Sequence, residues 1–542
     1  MTRWRDPLCI LLVGAVCSAS YAFGLRLYSD DWFFVEPLMT SDDQSWSGLY
    51  RALAERPYVG VRPVQILWYV AFHKLAPGGV ALVHLANHTV FAAATIVLYA
   101  AMRATPRTRR AAYYVAMLYA CLPTFSVAKM WYANHQAVLA LMLFAVTWWL
   151  LARAALAAGR ERRAFAALAG AAAALGNLSY ELFAATALAL PLFVWWALGA
   201  GDRALAGDRA FLGATAAIFA GLAATTLLKL SYGYGTELPP GIDGPLDFAR
   251  SAASMYLGAA RTTFWTLGLY SPRAAAGIAA GPFMEAGALA APIAGLAILA
   301  ARERLARRDR GDGREAGPGF FALSGAAAFM LGYIPYLGNF LYSPKPWGEG
   351  NRGNIAAALG AALLIYAAFR WARGHRPAIA RAALVLFCAV GVFLQVAVGR
   401  TWVRAAEDQD RMFARFAAVA RGSLADRGTV LVYGTCPYYG AGPVFPYGWD
   451  LRARLAVERG YREIEVALVW PQLAVKTGGL AMPRDRWGAP FHPYGALHIL
   501  DMAGGTVTRI GGPEDARRFF AAHPRGRSIT CAFDFGIGNP LY

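Results

Sequence analysis

Charged residues are scarce in this chain of 542 residues: they make up 16% of it, against 58% hydrophobic residues and a mean hydropathy of +0.38. So much apolar surface cannot be hidden in a soluble core, which excludes a soluble globular protein and leaves a multi-span membrane protein. Acidic groups are scarcer still, 33 against 52 Lys and Arg, for a formal net charge of +19. In a soluble protein that balance would point to nucleic acid. Here the arginines cluster in short segments between apolar runs, so the pattern is one of membrane topology and no nucleic-acid partner is expected. Cysteine is also sparse. Cys9, Cys17, Cys121 and Cys388 lie in apolar runs, where a thiol is a small packing residue, whereas Cys436 and Cys531 stand apart in the polar C-terminal part. A disulfide between that last pair is compatible with a location outside the cytoplasm. Several familiar motifs are missing: no G-x-x-x-x-G-K-[ST] loop, no H-E-x-x-H, no paired C-x-x-C and no nucleophile elbow. The chain therefore shows no sign of ATP use, of a zinc-hydrolase site or of an acyl-enzyme serine.

What is present is a series of apolar runs. The first, Leu8 to Leu25, follows Arg3 and Arg5 and reads as a retained helix entering from the basic, cytoplasmic side, although Ser18-Ala19-Ser20 also fits a signal-peptide end. It delivers Tyr28-Ser29-Asp30-Asp31-Trp32 to the opposite face, where adjacent carboxylates are costly without a partner or a task. The plainer account is that they end the helix and open a solvated loop. The first outer loop, 26–79, carries a second acidic pair, Asp42-Asp43, suited to a turn or helix cap, and Arg62-Pro63 opens an amphipathic stretch to Leu75 with the character of an interfacial helix.

Further spans are expected at Val80–Met102, Ala111–Val127, Gln136–Leu151, Phe165–Leu178, Leu182–Leu198, Phe211–Leu230, a run ending near Ala300, Phe320–Leu337, Ile355–Phe369 and Ala382–Val398. A second large outer segment, 231–281, contains an apolar portion from Ala252 to Tyr270 that fits an interfacial helix or half of a hairpin. The total is about eleven helices, and every basic loop, up to the densest at Arg302–Arg314, then falls on one side. The fold class is thus an all-α polytopic membrane domain, 1–399, followed by a small mixed α/β extracytoplasmic domain, 400–542. In the latter, a helix-like stretch from Asp408 to Leu424 precedes strand-like runs at Thr429–Tyr433 and Ile464–Val469, with Gly-rich turns at Ala503-Gly504-Gly505 and Ile510-Gly511-Gly512. Its histidines, His492, His498 and His523, are too scattered for metal ligands.

The expected topology places Asp30, Asp31, Arg62, His84, Asn87, Lys129, His135, Glu181, Lys345, Glu349 and Arg352 on the outer face. Their order resembles the polytopic glycosyltransferases of the GT-C fold, which are family-39-like and take a sugar from a polyprenyl-phosphate carrier. The resemblance rests on Ser29-Asp30-Asp31-Trp32 after the first helix, Arg62-Pro63-Val64, His84-Leu85-Ala86-Asn87-His88, Pro123 with Trp131-Tyr132-Ala133-Asn134-His135, Ser179-Tyr180-Glu181 with Pro191, and Asn351-Arg352-Gly353-Asn354. It covers roughly the first 400 residues and departs at Tyr180, where the family often has a lysine. It implies a polyprenyl-phosphate-linked sugar donor, a glycan, lipid or protein acceptor, membrane lipids as surroundings and no organic cofactor, with a divalent metal left open. It implies Asp30 as general base, with Asp31 positioning the acceptor or holding Asp30, and the two exchangeable. Arg352 is the first choice for the cation at the leaving phosphate, ahead of Lys345 and Lys129, with Arg62, His84 and Glu181 also binding substrate. Plainer roles stand beside these: a snorkelling Arg352, interhelical hydrogen bonds for His84 and Asn87, a helix cap for Glu181.

Other classes fit some of these features. A lipid-linked-sugar flippase or secondary transporter would have as many spans, yet should show repeats or broken helices near mid-membrane. A scaffold would explain the C-terminal domain alone, and an oligosaccharide polymerase or ligase shares the same chemistry. The Ala- and Arg-rich composition points to a bacterial plasma membrane, with the N-terminus cytoplasmic and the C-terminal domain periplasmic.

Overall fold

The computed structural model describes residues 5–19, 21–56, 59–199, 209–232, 244–265, 295, 315–337, 344–345, 348–420, 427–461, 463–482 and 491–529. The expected span ending near Ala300, the basic loop Arg302–Arg314, parts of the second outer segment and Cys531 lie outside the described residues. Two compact units emerge. One comprises Met1–Phe23, Ala54–Met130 and Asn134–Gly399, and the other Gly24–Leu53, Trp131–Ala133 and Arg400–Tyr542.

The first unit is helical. Among the described residues of the whole chain, five helices are long and apolar enough to cross a membrane: Val80–Ala104, Tyr132–Leu156, Phe211–Ser231, Pro318–Tyr336 and Pro377–Ala418. Two shorter apolar helices, Ala111–Cys121 and Glu181–Ala197, accompany them. The protein is a multi-pass membrane protein. Helices also stand at the other expected spans, Arg5–Ala19, Gly159–Ser179 and Ala357–His375, and at the amphipathic stretch Pro63–Leu75.

Two expected spans end well short of their expected bounds. The first helix stops at Ala19, short of Leu25, and a turn of 3-10 helix at Ala22–Gly24 follows. The helix from Ala111 stops at Cys121, not Val127, because Leu122 precedes Pro123 and is pushed to an extended ψ of 123°. The chain then passes through short turns at Pro123–Phe125, Val127–Met130 and Tyr132–Asn134 before the helix His135–Leu156 begins. Non-helical backbone inside an apolar bundle must find partners in the protein. Within the first unit, side-chain amides supply them. Asn87 Nδ2 donates to the Ala128 carbonyl (3.0 Å), Asn354 Nδ2 to that of Thr124 (2.6 Å) and Gln395 Nε2 to that of Ala120 (3.0 Å), while Asn351 Oδ1 accepts from Val127 N–H (3.2 Å).

Glycines let backbones touch where helices cross. A Cβ on Gly360 would lie 2.2 Å from Phe329 N and 2.5 Å from Gly325 O, and one on Gly221 would lie 2.6 Å from Gly170 O. In a bilayer, where hydrocarbon offers helices no hydrophobic drive to associate, such close packing supplies much of the attraction.

The second unit is built on a four-stranded sheet. Its central strand, Arg427–Tyr433, pairs in parallel with Glu463–Leu468 on one side and Leu497–Asp501 on the other, and Thr506–Ile510 lies antiparallel at the edge. Val430, Leu431 and Val432 are buried on both faces, as a central parallel strand requires. The helix Gly448–Arg459 makes the crossover between the first parallel pair. Leu431, Leu480, Leu497, Ile499, Ile510 and Phe519 belong to one apolar cluster of this unit. The stretch expected as a separate helix from Asp408 is the continuation of one long helix, Pro377–Ala420. Cys436 is disulfide-bonded, and Cys9, Cys17, Cys121 and Cys388 are free thiols.

Two upstream segments join this unit through specific bonds. The Tyr28 hydroxyl donates to the Trp402 carbonyl (2.9 Å) with the two rings edge to face at 4.8 Å, and Trp131 Nε1 donates to the Tyr28 carbonyl (3.0 Å).

Candidate functional site

In the second unit, the acidic pair does not trail from a helix into a loop; it opens the helix Asp30–Thr40. Carboxylates in a first helical turn are favoured by the exposed N–H groups there. The residue before them, Ser29, has φ 48° and ψ −123°, the one non-glycine with positive φ among the described residues. Such strain persists only where surrounding contacts hold it. The two carboxylates then part company. Asp31 is fully buried, and its Oδ2 accepts from Tyr28 N–H (2.8 Å) while Oδ1 accepts from the backbone N–H of Ala133. Burial pushes this carboxyl well above the usual range, opposed by those N–H donors. Asp30 is only half-buried. The second acidic pair has the turn role expected of it: Asp43 Oδ1 accepts from Ser45 N–H (2.9 Å) and its other oxygen meets exposed Arg51.

In the first unit, the structure brings together residues far apart in sequence. Pro63 starts its helix, its missing N–H being no loss at that position, and this leaves Arg62 at the helix entrance. Arg62 grips Glu181 in two-point fashion, Nη2 to Oε1 at 2.7 Å and Nε to Oε2 at 3.3 Å. Glu181 is available because Tyr180 breaks the helix Gly159–Ser179 with an extended backbone and a new helix starts beyond. The guanidinium also lies 4.6 Å from the centre of the Tyr180 ring, so the residue that departs from the GT-C pattern stacks on Arg62. A third member was missed in the sequence: Lys229 Nζ sits 2.8 Å from Glu181 Oε2, with the lysine almost wholly buried. Its signal was legible, a single lysine within the apolar run Phe211–Leu230.

Arg352 lies in the short 3-10 segment Glu349–Asn354, between two asparagines that fasten it. Asn351 bonds the turn after Pro123, and Asn354 bonds Thr124, Tyr333 and, through Nδ2 at 2.8 Å, the carbonyl of Lys345. Lys345 is thus adjacent to the Arg352 segment, and burial pushes its ammonium down from the usual lysine value. The Tyr336 ring lies against Gly353, the residue after Arg352, where a Cβ would fall 3.2 Å from its Cζ. The helix that follows Glu181 also lines an apolar cavity of about 280 Å3, together with Phe144, Trp148 and Leu359 from other helices.

The remaining candidates have other surroundings. His84 packs edge to face on His135, ring centres 5.5 Å apart. Asn87 bonds the Val127–Met130 turn, the interhelical role open to it from sequence. Lys129 is buried, donates to Gln395 and holds its ammonium over the rings of Phe91 and Phe125. Among the described residues no group of three His, Cys, Asp or Glu side chains is arranged to hold a metal ion.

No protein-family model matches this chain, and no curated protein does. Among solved structures it is similar to an archaeal oligosaccharyltransferase, AglB from Archaeoglobus fulgidus in complex with an inhibitory peptide and a dolichol-phosphate. That match has 13% identity and a TM-score of 0.39 and covers 85% of this chain and 64% of AglB, less than two thirds of its length. The chain is also similar to ArnT from Cupriavidus metallidurans bound to undecaprenyl phosphate, at 17% identity and a TM-score of 0.34, over 85% of this chain and 89% of ArnT.

Proposed function

We propose that the protein is an integral-membrane glycosyltransferase that moves a sugar from a polyprenyl-phosphate carrier to a glycan, lipid or protein acceptor outside the cytoplasm, in a bacterial plasma membrane. The observation that carries this reading is the gathering of Arg62 and Lys229, from two distant segments, on Glu181 within an apolar helical unit. Buried cations are expensive, and a phosphate carried on a hydrocarbon chain is the kind of ligand that repays several of them in such a place. The apolar cavity lined by the helix after Glu181 suits the hydrocarbon.

In the proposed step Asp30 takes the proton of the acceptor hydroxyl as its oxygen attacks the anomeric carbon of the donor sugar. The bond from that carbon to the phosphate oxygen breaks, and polyprenyl phosphate leaves with the electron pair. Its growing charge is met by Arg352, with Arg62 and Lys345 as further cations, in the manner of fixed donors aimed at developing charge. Glu181 sets Arg62 and Lys229 in place. His84 completes the substrate-binding set. Asp31, committed to two backbone N–H groups, holds the turn that presents Asp30.

The test is the surface-glycan and lipid-linked-sugar profile of cells carrying Asp30→Asn, beside wild type and a deletion strain, with protein abundance measured. Loss of one glycan in both mutant and deletion, with its lipid-linked donor accumulating, is the expected result. A glycan lost in the deletion but kept in Asp30→Asn removes Asp30 from the role of base. An unchanged deletion strain in a background without a second such enzyme removes the glycosyltransferase reading.

A further inference from the structure

The helix that begins with the acidic pair is held along its length by a helix of the C-terminal α/β domain, and both belong to the second unit. From Asp30–Thr40 it packs against Gly448–Arg459. Two arginines on the latter make the contact specific. Arg452 Nη2 lies 3.0 Å from Glu36 Oε1, with the Glu36 side chain only 12% exposed. Arg454 is 8% exposed, and its guanidinium lies 5.5 Å from the centre of the Trp32 ring and 4.4 Å from that of Phe413. Its own orientation is fixed from two sides, by Asp410 Oδ1 at 2.7 Å and Glu458 Oε1 at 2.8 Å. Trp32 follows directly on Asp31, so this cation–π contact bears on the first turn of the acidic helix.

The clamping helix is itself braced. A Cβ on Gly448 would fall 1.8 Å from the carbonyl oxygen of Val466, so only glycine lets its first turn rest against the strand Glu463–Leu468. Asp450 closes that end by accepting from the backbone N–H of Tyr447 (3.4 Å). The chain of support therefore runs from sheet to clamping helix to acidic helix. Its opposite end is the fixed point where Asp31 meets Tyr28 and Ala133. A strained Ser29 between two such anchors is what an over-determined turn looks like.

We propose that Arg452 and Arg454 are positioning residues, through which the C-terminal α/β domain sets the orientation of the Asp30 carboxylate. This rests on the reading of Asp30 as the general base. Neither arginine touches the reacting groups in this account; they act through Glu36 and Trp32. The C-terminal domain is then a working part of the transferase and not an appended acceptor platform.

The test separates the clamp from the chemistry. Amide hydrogen exchange of the full-length protein in nanodiscs is compared for wild type, Arg452→Ala, Arg454→Met, Glu36→Arg and the charge exchange Glu36→Arg with Arg452→Glu. Glycan output is measured for the same variants in the deletion strain at matched abundance. Arg452→Ala, whose side chain is partly exposed, guards against a misfolded Arg454→Met. We expect exchange in Asp30–Thr40 to rise about tenfold in the single variants, with the central strand Arg427–Tyr433 unchanged, as for a local opening. Glycan output should fall in step, and the charge exchange should return both. Unchanged exchange in Asp30–Thr40 in every folded single variant overturns the clamp, as does a charge exchange that restores neither reading. If exchange responds as expected while Asp30→Asn leaves the glycan intact, the clamp stands and the assignment of Asp30 as base falls.

Discussion

Arg62 and Glu181, 119 residues apart in sequence, are joined by two hydrogen bonds of 2.7 and 3.3 Å, and Lys229 closes on the same carboxylate at 2.8 Å. One carboxylate thus holds two cations, and the three side chains rise or fall together.

Glu181→Gln is therefore expected to cost more than the bonds it removes. The variant keeps the shape of the side chain but leaves Arg62 and Lys229 facing each other without the charge they share. Breaking a buried ion pair from one side costs about 3–5 kcal/mol, and the partial exposure of Glu181 places this case at the lower end. Adding Lys229→Met should recover part of the loss, since it removes one of the two like charges that the carboxylate held together. Thermal unfolding of the purified variants checks this, and additive effects in the double variant would contradict the shared carboxylate.

The apolar helices of the first unit were legible in the sequence because hydropathy alone decides them. The partners that make them work were less so. The run from Ala111 is apolar up to Leu122, and its break after Cys121 is set by Pro123 together with amides contributed by Asn87, Asn351 and Asn354. Arg62 and Glu181 were each visible as candidates and Lys229 stands out as a single lysine in an apolar run, yet nothing in one dimension says that the three meet. Composition does change after Val398, but no proline follows before Ala420. Ala, Arg, Glu and Gln are good helix formers, so the helix runs on from Pro377. The membership of Gly24–Leu53 in the second unit rests on contacts such as Tyr28 to Trp402, and no local pattern encodes those.

Asp30 and Asp31 should separate cleanly when each is changed to asparagine. Asp31 accepts at both oxygens, so an amide there must turn a donor toward a backbone N–H, at a cost of about 1–3 kcal/mol for the buried group left unsatisfied. Asp30 is half-buried and its substitution should change stability less. The expected outcome is a lowered unfolding midpoint for Asp31→Asn and a nearly unchanged one for Asp30→Asn. The reverse order would assign the structural role to Asp30.

Gly360→Ala tests the helix crossing. The added Cβ would meet backbone atoms of Phe329 and Gly325, which have no rotamer to give way, so the helices Pro318–Tyr333 and Ala357–His375 must move apart. A loss of about 1–3 kcal/mol is expected from such overpacking. Gly374→Ala, on the same helix with nothing near its Cβ, is the matched control and should be neutral or stabilising by up to about 1 kcal/mol through helix propensity. Similar unfolding midpoints for the two variants would mean that the crossing is not close.

The C-terminal domain should lose stability toward acid through His492. This side chain is 1% exposed, and burial pushes its imidazole below the usual value of 6.5, with Glu465 Oε1, 3.5 Å from Nδ1, opposing the shift. His498 is lowered as well, by burial first and then by Arg509. As pH falls below about 6.5 the unfolded chain takes up protons at these positions while the folded chain does not, so the unfolded state binds more protons and folding stability declines. The loss continues until the pH reaches the lowered folded values and then levels off. Exchange protection of the strands Glu463–Leu468 and Phe491–Pro493, followed from about pH 7.5 to about 5.5 (roughly one unit either side of an ordinary histidine), should fall with decreasing pH. His492→Gln should flatten that slope, because its side chain does not titrate, and an unaltered slope in the variant would place the acid sensitivity on another group.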